Sequence, residues 1–142
     1  MEPINAMLNG RRLKQFIDDR QAETRDRYGL NRVELEAILY FSANPGAAAI
    51  DLHREMGMNK GQISKALDHL RQEEYMTARI DPQDRRLMRW TLMEKGKQVS
   101  CVLQKQKREI VEALLQGVTQ EERAALGSAF AKIKKNIEEL VK

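Results

Sequence analysis

A chain of 142 residues is one domain of ordinary size, long enough for a proper core. Charged residues make up 32% and aromatics 5%, a balance that suits a helical protein with long solvated faces better than a β-sandwich. The net charge of +4 is compatible with a nucleic-acid partner, the one cysteine excludes an internal disulfide framework, and no apolar run approaches the ~20 residues of a membrane span.

The N-terminus MEPINAML lacks the basic stretch and apolar core of a secretory signal, and the single cysteine suits a reducing compartment. The expectation is a soluble cytoplasmic protein without membrane contact. The positive excess begins in the middle, where residues 53–97 hold ten Lys/Arg against seven Asp/Glu.

Helix signals dominate. Residues from about 3 to 27 read as a first helix carrying Ile4, Met7, Leu8, Leu13, Phe16 and Ile17, with Arg11 and Arg12 interrupting its apolar face and Gly29 stopping it. Asn31 with Glu34 three residues later is a capping box, and Val33 to Phe41 follow as a short apolar helix ended by Asn44-Pro45-Gly46. Ile50, Leu52 and Met56 mark another short helix, stopped by Gly57. Asn59 offers an N-cap with Gln62 at the capping-box position. Behind it Ile63, Ala66, Leu67 and Leu70 form one apolar stripe, which leaves Lys60, Gln62, Ser64, Lys65, Asp68 and His69 on the other faces.

Tyr75 to Ile80 and Leu87 to Leu92 are strand-like, and Asp81-Pro82-Gln83-Asp84 between them has turn chemistry. Alternation sends Met88, Trp90 and Leu92 one way and Arg89 and Thr91 the other. A long helix follows from about Glu94 to Gln116, with Gly117 suited to its C-terminal cap. Thr119 with Glu122 is a further capping box. The last helix carries Leu126, Phe130, Ile133, Ile137 and Leu140 as a narrow seam of the coiled-coil kind, read as a dimer interface.

A helix–turn–helix followed at once by a two-stranded hairpin is a winged helix. Its second helix fits the major groove of duplex DNA, and the hairpin tip reaches the adjacent minor groove, where arginine is favoured. Over nearly the whole chain the sequence resembles the MarR family of bacterial winged-helix transcription regulators. Asp81, Asp84 and Arg86 of DPQDRR look like the family's wing signature. EKG at 94–96 resembles the start of the helix after the wing, and QISKALDHL at 62–70 resembles the recognition helix. The family departs from this chain at Glu74, often glycine there, and at Met93, usually threonine.

The resemblance implies a mainly α fold with a small β-hairpin wing, a winged helix-turn-helix plus a helical dimerisation region. Residues 1–30 and 94–142 would dimerise and residues 31–93 would bind DNA, all within one compact chain. It implies a homodimer on a pseudo-palindromic operator of double-stranded DNA, a repressor released by a small aromatic effector. Asn59, Lys60, Gln62, Ser64, Lys65 and His69 on the recognition helix, with Arg85 and Arg86 on the wing, are the expected DNA-binding residues. Asp81 or Asp84 would hold an arginine extended by a bidentate pair. Arg79 and Arg89 either extend the basic footprint or solvate the hairpin. Trp90 is expected in the core.

Cys101 is expected to be a small packed residue. A thiol-redox sensor using Cys101 is one alternative reading, and a winged helix serving protein interaction without specific DNA binding is another. His53 and His69 have no companion cysteine at metal-ligand spacing, and no nucleophile–base pair or phosphate loop is present. Neither a cofactor, a metal nor an enzymatic activity is expected.

Overall fold

Helix boundaries follow the punctuation of the sequence closely. The structure is a computed structural model that describes Asn5 and residues 10–142. The predicted start of the first helix, with Ile4, Met7 and Leu8, lies outside the described residues. Helix α1 spans Arg11–Tyr28, and Gly29 closes it in the left-handed conformation at φ 65°. Helix α2 spans Arg32–Ala43. Its predicted capping box is complete: Asn31 Oδ1 accepts from Glu34 N–H, and Glu34 Oε1 accepts from Asn31 N–H, each at 2.9 Å. Helix α3 spans Ala49–Met56 and ends at Gly57, φ 66°. Helix α4 spans Lys60–Gln72.

The cap of α4 differs from expectation. Asn59 Oδ1 accepts from Gly61 N–H at 2.7 Å, one position earlier than a capping box requires, so Gln62 has no capping role. With extended backbone at φ −60°, ψ 134°, Asn59 can reach the second amide of the helix as readily as the third.

Strands β1, Met76–Ile80, and β2, Met88–Leu92, pair antiparallel with Ala78 opposite Trp90. A second edge of β2 is also occupied. Gly46 N–H donates to Trp90 O at 2.8 Å and Trp90 N–H donates to Ala47 O at 3.0 Å. The segment after α2, read in the sequence as a turn only, thus anchors the hairpin to the helical core. Trp90 itself is buried, as expected, in one cluster with Ile38, Phe41, Leu52, Leu67 and Leu70. All four residues of the α4 stripe are buried.

Helix α5 spans Glu94–Leu114, two residues shorter than predicted, and Gly117 at φ 82° sits in the turn beyond it. Its inward side is Gly96, Val99, Ser100, Leu103 and Ile110. Cys101 is exposed, which corrects the expectation of a packed residue. One residue turns a helix by about 100°, so with Ser100 facing inward Cys101 faces out.

The chain divides into two compact units, the first ending at Ile110 and the second comprising Val111–Lys142. Within the second unit, helix α6 spans Gln120–Leu140 behind the predicted Thr119–Glu122 capping box. Arg123 closes the preceding turn by donating to Leu115 O at 3.1 Å and Val118 O at 3.2 Å. No residue of this unit is buried. Leu126, Phe130, Ile137 and Leu140 of the seam are exposed and Ile133 is half-buried.

Candidate nucleic-acid interface

Helix α4 separates its faces cleanly. Because Ile63, Ala66, Leu67 and Leu70 are buried, a rotation of about 100° per residue puts Lys65, Asp68 and Gln72 at the centre of the outward face. Gln62 and His69 lie on one flank, and Lys60 and Ser64 on the other. Lys60, Gln62, Ser64, Lys65 and Asp68 are all exposed. The flank with Lys60 and Ser64 borders the wing: both residues, with Asp68, line a cavity of about 380 Å³ whose other walls include Ile50, Arg86 and Trp90.

The opposite flank is tied to α2. His69 Nδ1–H donates to Glu34 Oε2, since a carboxylate can only accept. Glu34 is 4% exposed at its side chain, and its two oxygens are divided between the cap of α2 and His69 on α4. An internal partner for His69 was not legible in the sequence, because the two residues are 35 positions apart. His53 is likewise occupied, donating from Nδ1 to Met58 O across the turn between α3 and α4.

At the wing, two aspartates each fold the backbone and hold one arginine. Asp81 Oδ1 accepts from Gln83 N–H at 2.9 Å, while its Oδ2 accepts from Arg89 Nε at 3.2 Å and Nη2 at 2.9 Å. Asp84 Oδ1 accepts from Arg86 N–H at 3.1 Å and Arg86 Nε at 3.3 Å. The expected bidentate pair is therefore replaced by two arginine nitrogens on one oxygen at Asp81 and a single side-chain contact at Asp84. At Asp81 the other oxygen makes the turn, and at Asp84 the same oxygen serves both the turn and the side chain. Arg89, which the sequence left open between two roles, is the partner of Asp81.

Hydrogen bonding from Gln83 N–H first, then from Arg89, holds the Asp81 carboxyl below the usual carboxylate range against a smaller opposing effect of desolvation. The pair is thus formed above that range and is lost only as pH falls through the lowered value. Arg86 remains 92% exposed despite its contact with Asp84. Arg85 is exposed as well. Arg79 stands opposite Arg89 in the register of the hairpin, and like charges directly opposite are unfavourable. Asp81 relieves this by neutralising Arg89. Among the described residues no group of His, Cys, Asp and Glu could hold a metal ion.

A helix–turn–helix, a buried stripe behind a polar exposed face and an arginine-tipped hairpin define a winged helix-turn-helix. Residues 28–87 match the model of the MarR family. In overall structure the chain is similar to the transcriptional regulator SlyA, at 17% identity, covering all of both chains with a TM-score of 0.83. It is similar to a MarR-family transcriptional regulator from Silicibacter pomeroyi at 25% identity, covering 92% of this chain and 87% of that one, TM-score 0.81. A third similar structure is Streptococcus pneumoniae FabT in complex with DNA, 20% identical, covering 94% and 97% of the two chains, TM-score 0.71. Curated protein sequences contain no match to the chain. The match to the MarR family covers residues 28–87, which run from the end of α1 through the helix–turn–helix to Leu87 in the wing.

Proposed function

We propose that the protein is a homodimeric repressor that binds a pseudo-palindromic operator in double-stranded DNA. The observation that carries this reading is the wing. Asp84 fixes the first part of the Arg86 side chain and leaves its terminal nitrogens in solvent, beside the exposed polar face of α4. An uncompensated aspartate at a DNA surface would repel phosphate, whereas one bound to arginine presents the cation at a set angle. Lys65, Gln62 and Ser64 would meet bases or phosphates in the major groove, and Arg85 and Arg86 would enter the flanking minor groove. Asn59 and Lys60 would meet the backbone at the start of the helix. His69 would act on the α2 flank, through the imidazole nitrogen that Glu34 leaves free.

In this reading residues 31–93 bind DNA, and residues 1–30 and 94–142 form the dimer. A second unit with no buried residue and an exposed seam of Leu126, Phe130, Ile137 and Leu140 supports a partner helix. Two-fold symmetry then sets the two half-sites about one turn of DNA apart. The DNA complex of FabT is a structural precedent at the level of the fold.

A small aromatic effector would act as an inducer by favouring a spacing of the recognition helices that no longer fits the operator. The cavity between α3, α4 and the wing supports such a ligand, with Ile50, Leu67 and Trp90 as apolar walls and Arg86 and Lys60 as cations. The test is fluorescence anisotropy with the duplex upstream of the protein's own gene and a scrambled duplex, over a series of salt concentrations. Tight, preferential binding that weakens steeply with salt is expected. Weak and equal binding to both duplexes would send the search to selection from random duplexes. Failure there as well would overturn the reading in favour of a protein-interaction module.

A further inference from the structure

The C-terminal end of α4 is held by a different part of the chain from its buried face. The helix closes in a Schellman motif, with Glu74 N–H donating to Arg71 O at 3.1 Å and Tyr75 N–H donating to Leu70 O at 2.8 Å. Two residues of this cap, Glu73 and Tyr75, lie against the start of α5. Lys95 Nζ donates to Glu73 O at 2.9 Å and sits over the Tyr75 ring, 4.2 Å from its centroid. Met93 N–H donates to Tyr75 O at 2.9 Å. Gly96 packs so closely that a Cβ there would stand 2.2 Å from Tyr75 O.

These contacts join two helices that the sequence separates by the whole wing. Each follows from elementary chemistry. A helix C-terminus carries partial negative charge, so a lysine ammonium is favourable against its carbonyls. An ammonium over a tyrosine face adds a cation–π attraction. A residue without a side chain lets backbone approach backbone. Lys95 is exposed, so no core packing explains its contacts.

We propose that Lys95 is a positioning residue for sequence-specific DNA recognition. It fixes the C-terminal end of the recognition helix to α5, and Gly96 makes the junction close enough to be stiff. The orientation of α4 in the groove then depends on α5 as well as on the buried stripe. This inference rests on the DNA-binding reading given above. It concerns how the recognition helix is aimed and adds no new contact to DNA.

The experiment compares wild type, Lys95→Met and Lys95→Arg on two probes: a duplex that the wild-type protein selects from a random library, and its scrambled counterpart. Lys95→Met is expected to lower affinity for the selected duplex by about tenfold, with affinity for the scrambled duplex and the salt slope unchanged. Lys95→Arg, which can still donate to Glu73 O and cover the ring, is expected to restore most of the preference. An unchanged preference in Lys95→Met would overturn the proposal. So would an equal loss on both duplexes with a salt slope reduced by about one, since that is the signature of a lost phosphate contact. A wild-type protein that selects no duplex would overturn the DNA reading itself, a result separate from either of these.

Discussion

At the scale of single residues, the acidic side chains do most of the organising. Asp84 spends one oxygen on both the backbone and the side chain of Arg86, and the guanidinium end stays free. Arg86→Ala should weaken operator binding by about 1–3 kcal/mol, read by anisotropy on a folded variant; unchanged affinity would remove the wing from the interface. Glu34 has the opposite setting, a buried carboxylate with both oxygens occupied by the Asn31 amide and the His69 ring. Its loss breaks the capping box of α2 and removes the carboxylate partner of the half-exposed His69 ring. Glu34→Ala should therefore destabilise the fold by about 1 kcal/mol, measured as a lower denaturant midpoint. Glu34→Gln, which keeps an acceptor for Asn31, should recover part of that loss.

At the scale of elements, α4 is supported at its stripe, at its α2 flank and at its C-terminal cap. The cap contains the only non-glycine residue with positive φ among the described residues, Glu74 at 62°. It stands at the position after the helix where glycine is commonest, and a side chain there carries a steric penalty of roughly 1–2 kcal/mol. Glu74→Gly should raise stability by about 1 kcal/mol after the added flexibility of the unfolded chain is subtracted. Thermal unfolding of the two proteins would show it as a higher midpoint; a lower midpoint would mean that the Glu74 side chain has a favourable contact that offsets the strain. The hairpin is supported in a comparable way, because β2 is paired with β1 on one edge and bonded through Trp90 to Gly46 and Ala47 on the other, with the Trp90 side chain buried beneath.

At the scale of the whole molecule, the second unit shapes the expectation of a dimer. Its helix α6 shows Ile137 at 54% and Leu140 at 82% exposure. An apolar seam of this length in water is a surface for association. The wild-type protein is expected to sediment as a dimer, and Ile137→Asp together with Phe130→Asp as a monomer at the same concentration, as read by analytical ultracentrifugation. Operator affinity should fall with it, because two half-sites are no longer held by one particle. A double variant that remains dimeric would place the interface elsewhere on the chain.

Features that depend on local chemistry were legible in residue order. Helix ends at Gly29, Gly57 and Thr119, the capping box of Asn31 and Glu34, the buried stripe of α4 and the inward placement of Trp90 on β2 all follow from neighbours within a few positions. Backbone conformation and side-chain periodicity act over that range, so residue order is enough to read them. The resemblance to the MarR family was legible for the same reason, since DPQDRR and EKG are short continuous motifs. Pairings between distant residues were set by the packing of the folded chain. It gave His69 to Glu34, Arg89 to Asp81 and Lys95 to Glu73, and it placed Gly46 and Ala47 alongside β2. It also turned Cys101 outward, against the expectation of a packed side chain. In each case several partners or orientations satisfy the local pattern equally well, and what selects among them is the way the helices pack.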